Sequence, residues 1–184
     1  MTAEGSSRSP LEGRAADLAQ IGAGLVPSLV QVDLRVDPSE ASRAPYPLPL
    51  EPNSAWHDRH HSVLWLGPDE WLILSAGEAR NELVRDLESA FADVHHSVVD
   101  VSANRVVVAL AADDRLELLS HVCSVDLDAS VWGPGRCIQT MLGRAQAIVF
   151  ERTGTTPILV RPSFADYLLD LLLQVRRVTG DVRA

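Results

Sequence analysis

A pattern of strand, turn, strand and helix occurs twice in this chain, and it restricts the fold more than any other feature of the sequence. The first copy runs from Val63 to Leu87, and the second runs from Ile148 to Leu172. Between them, residues 98–122 have the pattern of two further strands and a helix. Hairpins that alternate with helices favour mostly antiparallel sheets with helices on one side. We therefore predict an α+β fold built from ferredoxin-like or split-βαβ repeats.

The rest of the chain divides into two less regular stretches. Residues 1–28 are mostly small and polar, with several glycines and serines, which predicts a flexible N-terminal tail with a short helix near Ala15–Ile21. Residues 29–61 combine a predicted strand with an arm that carries five prolines. Proline removes a backbone donor and favours extended geometry, so such an arm is either a connector or a segment that wraps around a partner. Residues 62–180 are the predicted α+β globular domain.

The charged residues exclude several classes of function. All 16 basic residues are arginine, and 25 acidic residues give a net charge of −9. Without lysine, the chain cannot form a Schiff base, hold pyridoxal phosphate through an amine or build a P-loop. An acidic chain without a basic run is also a poor nucleic-acid binder.

The apolar residues and the cysteines limit the cellular location. No apolar run approaches the roughly 18–20 residues of a membrane span. Cys123 and Cys137 form neither a C-x-x-C motif nor a disulfide framework. We therefore expect a cytoplasmic protein with no membrane or nucleic-acid partner.

Three histidines and an aspartate lie close together just before the predicted domain. His57 and His61 are four residues apart, a spacing that can place two ring nitrogens on one metal ion if the segment is helical. The nearby Pro52 and the lack of an amphipathic pattern argue against a helix here. The cluster is therefore interpreted as a polar loop, with metal binding as the less favoured alternative.

Three further motifs have structural interpretations that are favoured over the functional ones. Asp126 and Asp128 form a short D-x-D pair that suits a hard cation, although an acidic loop is the commoner meaning. The turn at residues 133–136, Gly-Pro-Gly-Arg, has amides that suit an anion, but no lysine and helix follow it. Cys123 ends an apolar helical pattern and is expected to be packed. We predict no catalytic, cofactor-binding or metal-binding residue on this chain.

The last predicted helix has unusually little polar surface. From Phe164 to Val175, the strongly polar residues are confined to one stripe at Asp166, Asp170 and Gln174. A surface helix needs an apolar stripe only a little over about 100° wide. This helix is therefore either buried centrally or in contact with another subunit, and the second alternative is favoured because exposed apolar patches mark interfaces. The predicted partner-contact residues are Phe164, Tyr167, Leu168, Leu171 and Leu172.

Four blocks of sequence resemble a known family. They are Leu66–Leu72, Asp100–Arg105, Asp126–Asp128 followed by Gly133–Thr140, and Arg161–Leu168. In order and spacing they resemble the gamma subunit of heterotetrameric sarcosine oxidase, over about residues 62–175. That family is similar in fold to the aminomethyltransferases, the glycine-cleavage T-proteins, in which an Asp-hydrophobic-Ser strand opens a sheet domain. The counterpart of that strand here is Asp100-Val101-Ser102.

The resemblance implies a function within a complex. It implies alpha, beta, gamma and delta chains that oxidatively demethylate sarcosine to glycine, release hydrogen peroxide and pass the one-carbon unit to tetrahydrofolate. FAD, FMN and NAD are expected on the alpha and beta chains, zinc on delta, tetrahydrofolate on a partner, and no cofactor on gamma. The chain is then a non-catalytic structural subunit. The alternative is a free-standing folate-binding or one-carbon-transfer domain, in which Asp100 faces a pocket.

Overall fold

The computed structural model describes residues 9–27, 29–77 and 79–182, and it gives the side chains up to residue 179. Two short 3-10 helices span Glu12–Arg14 and Pro38–Arg43. The helices and strands are, in chain order, α1 (Ala15–Gln20), β1 (Ala23–Val26), β2 (Val30–Val36), β3 (Ala55–His57), β4 (His61–Gly67), β5 (Glu70–Ser75), α2 (Arg80–Ala90), β6 (His96–Asp100), β7 (Val106–Leu110), α3 (Arg115–Ser120), β8 (Cys137–Leu142), β9 (Ala145–Phe150), β10 (Thr156–Val160) and α4 (Pro162–Val182). Among these described helices, none is long and apolar enough to cross a membrane.

The described strands form two antiparallel sheets. Sheet A has the order β1-β7-β10-β9-β8, and sheet B has the order β3-β4-β5-β2-β6. The pairings within both sheets are antiparallel. The predicted α+β class with mostly antiparallel sheets is therefore confirmed.

Side chains alternate across each strand and divide the core into three clusters. Leu64 of sheet B and Ile148 of sheet A belong to the cluster between the two sheets. On its outer face, sheet A packs against α1, α3 and α4, where Val149 and Leu168 share one cluster. The outer face of sheet B packs against α2 through Leu87. The result is a four-layer arrangement of helices, sheet, sheet and helix, in which each sheet has its helices on one side.

The repeat in the sequence corresponds to two halves with the same topology. In each half a hairpin leads into a helix that covers the outer face of the sheet, β4-β5-α2 in sheet B and β9-β10-α4 in sheet A. Beside β2, the edge of sheet B is completed by β6, which follows α2. The matching edge of sheet A, beside β7, is completed by β1 from the beginning of the chain. The N-terminal strand β1 thus completes the sheet of the second half.

The prediction of a flexible tail over residues 1–28 is wrong for its described part, although the short helix expected near residues 15–21 is present as α1. Leu11, Leu18 and Ile21 are buried in the cluster that α4 shares with sheet A. Arg14 adds ion pairs of 3.2 and 2.6 Å to Asp166 and Asp170 on α4. Average composition hid these contacts, because three apolar side chains at suitable spacing are enough to anchor a short segment. Residues 1–8 lie outside the described part of the chain.

The proline-rich arm lies on the outer face of sheet B. Leu48 is buried there, and the carbonyl of Pro49 accepts a hydrogen bond of 2.7 Å from the indole N–H of buried Trp71. The chain then enters β3, which pairs with β4. The predicted boundary at residue 62 falls inside β4, so residues 29–61 and the following strands share one body.

The partner-contact prediction is wrong for two residues of the last helix. Leu168 and Leu172 are 2% and 1% exposed, and they pack in the chain's own core against the outer face of sheet A. The prediction failed because β1, α1 and α3 supply more cover for α4 than the sequence pattern suggested. Phe164, Tyr167 and Leu171 lie on a different side of α4, where Phe164 is 38% exposed.

Candidate functional site

The open end of the space between the two sheets gathers polar side chains from distant parts of the chain. Continuing the β7–β10 register by one residue places Arg105 opposite Arg161, and the β9 register places Gln146 beside Arg161. These three residues are referred to below as the arginine row. Together with Gln139, Ile148 and Ala147, they line a shallow depression.

Two carboxylates of sheet B lie near the arginine row. Asp33 on β2 and Glu70 on β5 occupy the face of sheet B that is turned toward sheet A, two residues apart in register. Burial, and secondly the charge of Glu70, raises the pKa of Asp33 to about 6. Glu70 also lies 4.0 Å from Arg35, which binds Asp69 at 2.9 Å. Asp33 and Glu70 therefore interact mainly with each other and with Arg35.

Arg105 has an unusual environment for a guanidinium. It is half-buried, and its side chain makes no hydrogen bond or ion pair with any residue in the described ranges. Burial lowers the pKa of Arg105, and the charge of Arg161 lowers it further, against the opposing effect of Asp33 and Glu70. The surroundings thus disfavour the cation, although a guanidinium stays protonated in proteins.

The Asp100–Ser102 segment fixes the backbone next to Arg105. Asp100 accepts hydrogen bonds from the N–H and the hydroxyl of Ser102 at 2.9 and 2.6 Å, and its second oxygen lies 3.0 Å from Arg80. The hydroxyl of Ser102 accepts the N–H of Gln31 at 3.0 Å, and the Gln31 amide donates to the Arg105 carbonyl at 2.8 Å. Both oxygens of the Asp100 carboxylate are therefore engaged within the protein.

A second polar cluster is buried around Glu151, which is 2% exposed. The carboxylate accepts hydrogen bonds from Arg115 at 2.6 Å, from the hydroxyl of Thr156 at 2.5 Å and from the indole of Trp132 at 3.3 Å. The Glu151 carbonyl lies 3.2 Å from Nε2 of His57. This cluster joins β3, α3, β10, the loop before β8 and the segment that directly follows β9, so it acts as an internal clamp.

The histidine cluster is divided between two strands of a hairpin. His57 lies in β3, where burial lowers its pKa and its ring stacks on Phe150 at a centroid distance of 5.5 Å. His61 lies in β4, 3.1 Å from Asp58 and 4.3 Å from the ring of Tyr46. The helical spacing considered for a metal site therefore does not apply. Within the described residues, no group of three or more candidate ligands could hold a metal ion.

The D-x-D pair and the Gly-Pro-Gly-Arg turn have structural roles. Asp126 accepts the N–H of Asp128 at 2.9 Å, and Asp128 accepts the N–H of Ser130 at 2.8 Å. The N–H of Gly135 bonds to the Glu151 carbonyl at 3.3 Å, and its own carbonyl accepts a hydrogen bond from β3 at 2.7 Å. These contacts position the loop before β8.

The two cysteines are held in packed surroundings. Cys137 is 1% exposed and bonds to the carbonyl of Ser54 at 3.0 Å. Burial raises the pKa of its thiol to about 11. Cys123 is half-buried, with its sulfur 3.8 Å from the hydroxyl of Thr140. A thiol with a raised pKa is a poor nucleophile at neutral pH.

One side of α4 remains partly exposed and apolar. Tyr167 accepts the backbone N–H of Arg144 at 3.0 Å, and both Tyr167 and Leu171 lie against Gly143 in the β8–β9 turn. The side as a whole repeats at helical spacing and is referred to below as the α4 flank: Phe164, Tyr167, Leu171, Val175 and Val178. Phe164 and Val178 are 38% and 62% exposed.

The four blocks that carry the family resemblance meet at the candidate site. They contribute Glu70, Arg105, Gln139 and Arg161, respectively, and Gln139 donates a hydrogen bond of 2.9 Å to the carbonyl of Leu66 in the first block. No local pattern in the sequence marks Arg105 and Arg161 as a pair. Only the register between β7 and β10 brings them together.

A comparison with family models identifies the chain. The model described as the sarcosine oxidase, gamma subunit family matches residues 48–177. The chain belongs to the sarcosine oxidase gamma subunit family. No curated protein matches its sequence.

Similarity to solved structures supports the same family assignment. The chain is similar to a chain of the heterotetrameric sarcosine oxidase from Corynebacterium sp. U-96 in complex with pyrrole 2-carboxylate, with 27% identity and a TM-score of 0.84, covering 92% of this chain and 94% of that one. It is also similar to the glycine cleavage system aminomethyltransferase T from Bartonella henselae, with 13% identity and a TM-score of 0.62, covering 89% of this chain and 49% of that one. The resemblance to the gamma subunit and the aminomethyltransferase-like fold are thereby confirmed.

Proposed function

We propose that this chain is a non-catalytic structural gamma subunit of a cytoplasmic heterotetrameric sarcosine oxidase, with alpha, beta and delta chains as its partners. The complex oxidatively demethylates sarcosine to glycine and transfers the one-carbon unit to tetrahydrofolate. Its FAD, FMN and NAD lie on alpha and beta, its zinc on delta, and its tetrahydrofolate on a partner. The observation that carries the proposal is the similarity to a chain of a heterotetrameric sarcosine oxidase over nearly the whole length of both chains.

A structural role is supported by the contacts of the side chains that are chemically suited to catalysis. Both oxygens of Asp100 are engaged, by Ser102 and by Arg80. Nε2 of His57 bonds to the carbonyl of Glu151, and the thiol of Cys137 is buried with a raised pKa. These groups stabilise the fold, and none of them is poised as a nucleophile or base.

Within this proposal, the α4 flank is the surface that contacts a partner. Phe164, Tyr167 and Leu171 remain from the predicted contact set, and they adjoin the exposed Val178 at helical spacing. A continuous apolar side on an otherwise amphipathic surface helix is typical of an interface. Leu168 and Leu172 support this surface from below but do not form it.

The proposal is tested by co-expression with candidate alpha, beta and delta chains, with an affinity tag on this chain. We expect the partners to co-purify as one species by sizing, with flavin absorbance and sarcosine-dependent peroxide formation. A flavin-free monomer that binds tetrahydrofolate would instead support the free-standing one-carbon domain.

The proposed contact surface is tested by Phe164→Asp. An acidic residue in the first turn of a helix is favourable, so the isolated fold should keep its melting temperature. An unpaired carboxylate at an apolar interface costs several kcal/mol, so co-purification should be lost. Leu50→Asp is the matched control, because Leu50 is apolar and 60% exposed but lies in the proline-rich arm. Equal retention of partners by both variants would place the interface elsewhere.

A further inference from the structure

The arginine row contains an electrostatic conflict. Arg105 and Arg161 are cross-strand neighbours when the β7–β10 register is continued by one residue. Like charges directly opposite each other on neighbouring strands destabilise a sheet. In addition, neither arginine has a hydrogen-bonded or ion-paired partner among the described side chains. Two adjacent arginines without partners reduce the stability of the sheet, so this concentration of positive charge suggests a role in binding an anion.

The surrounding side chains form a small receptor for an anion. The two guanidinium groups supply planar sets of N–H donors, and the amide of Gln146 adds further donor capacity from β9. The position of Gln139 is fixed by its hydrogen bond to the carbonyl of Leu66. The floor is formed at Ile148, which is 3% exposed, and a low-polarity floor strengthens charge interactions above it.

The nearby acids do not fill this role. Besides burial, the charge of neighbouring Glu70 raises the pKa of Asp33, and Glu70 also lies 4.0 Å from Arg35. No ion pair within 4.0 Å joins either acid to Arg105 or Arg161 in the part of the chain that the structure describes. Their negative charge instead disfavours a doubly charged anion at the site. A singly charged, planar group that matches two guanidinium forks is the best fit.

We propose that Arg105 and Arg161 form a binding site for a carboxylate group. The carboxylate comes either from a small carboxylic acid in solution or from an acidic side chain of a partner chain, since the chemistry is the same in both cases. This site is separate from the α4 flank, and it does not depend on the proposed place of this chain in an oxidase.

The test is an acetate titration of the full chain at constant ionic strength, followed by the NMR signals of the arginine Nε–H groups. We expect a saturable shift at Arg105 and Arg161, and a smaller effect of phosphate at the same concentration. Arg105→Gln and Arg161→Gln should each weaken acetate binding by about tenfold or more, because a charge-assisted hydrogen-bond partner is lost. Arg136→Gln is the control, since Arg136 is exposed and lies near Glu51 at 3.6 Å.

The possible results separate the proposal from its alternatives. No saturable shift, or an unchanged shift in both Arg105→Gln and Arg161→Gln, overturns the site. If Arg105→Gln does not fold, Arg161→Gln decides the matter alone, because Arg161 is exposed. The carboxylate is assigned to a partner chain if the unmodified chain no longer responds to acetate within the purified complex and if Arg161→Gln assembles more weakly. A retained response assigns it to a small acid.

Discussion

Replacing Glu151 with glutamine tests the internal clamp that holds the loop before β8. Glutamine keeps the size of the side chain and an acceptor for Thr156 and Trp132, but it removes the charge opposite Arg115. The carboxylate side chain is 3% exposed and that of Arg115 is 16% exposed, so the arginine is left largely buried without a charged partner, although its Nε–H still donates to Thr156 at 3.0 Å. Breaking a buried ion pair from one side costs about 3–5 kcal/mol. Because Arg115 retains some access to water, we expect a loss near 3 kcal/mol.

For a chain of this length, that loss corresponds to a melting temperature lower by roughly 6–12 °C. Urea denaturation followed by circular dichroism measures the free energy of unfolding directly. The matched control is Glu51→Gln, because Glu51 is 75% exposed and lies 3.6 Å from Arg136. An exposed pair contributes less than about 1 kcal/mol. If the free energies of unfolding of the two variants differ by less than about 1 kcal/mol, the Glu151 clamp is not a major source of stability.

Three further substitutions test separate parts of the structure. The pKa of Asp33 is raised from 3.8 to about 6, so the folded state loses stability as pH rises through that window. Asp33→Asn should therefore reduce the change in melting temperature between pH 4 and pH 7 and should increase the melting temperature at pH 7. A pH profile identical to that of the unmodified chain would contradict this. Gly22 has φ +63°, and an added Cβ would lie 2.6 Å from the Cβ of Ala112, whereas Gly77 at φ +102° has open space around it. Gly22→Ala should therefore lower the free energy of unfolding more than Gly77→Ala does, by about 1–3 kcal/mol in urea denaturation. Equal losses in the two variants would contradict the close approach at Gly22. Leu172→Asp should abolish the near-UV circular dichroism of the isolated chain, because Leu172 is 1% exposed. A variant that folds but does not assemble with partners would instead show that Leu172 is an interface residue.

The hairpins and helices of the repeat could be predicted because their signals are local. The turn between β4 and β5 has its own turn-forming residues, and α2 carries its apolar stripe at Leu83 and Leu87. Each copy therefore specifies its own strands and helix. The position of α4 was harder to predict, since burial of Leu168 depends on β1, α1 and α3, which are distant in sequence.

The candidate site could be predicted only in part. The four resembling blocks did contain Glu70, Arg105, Gln139 and Arg161, but no local pattern connects these residues. Their meeting follows from strand register across sheet A and from the packing of one sheet on the other. The same holds for the clamp, where Glu151 is an isolated acid directly after the apolar strand β9 until Arg115 is placed beside it by α3.

The central claim is that this chain works as a gamma subunit, and native mass spectrometry of the material purified through a tag on this chain tests it most directly. The account predicts one dominant species that contains this chain together with one alpha, one beta and one delta chain, with bound flavin. Recovery of this chain only as a monomer that binds tetrahydrofolate, in the presence of all three candidate partners, would contradict it.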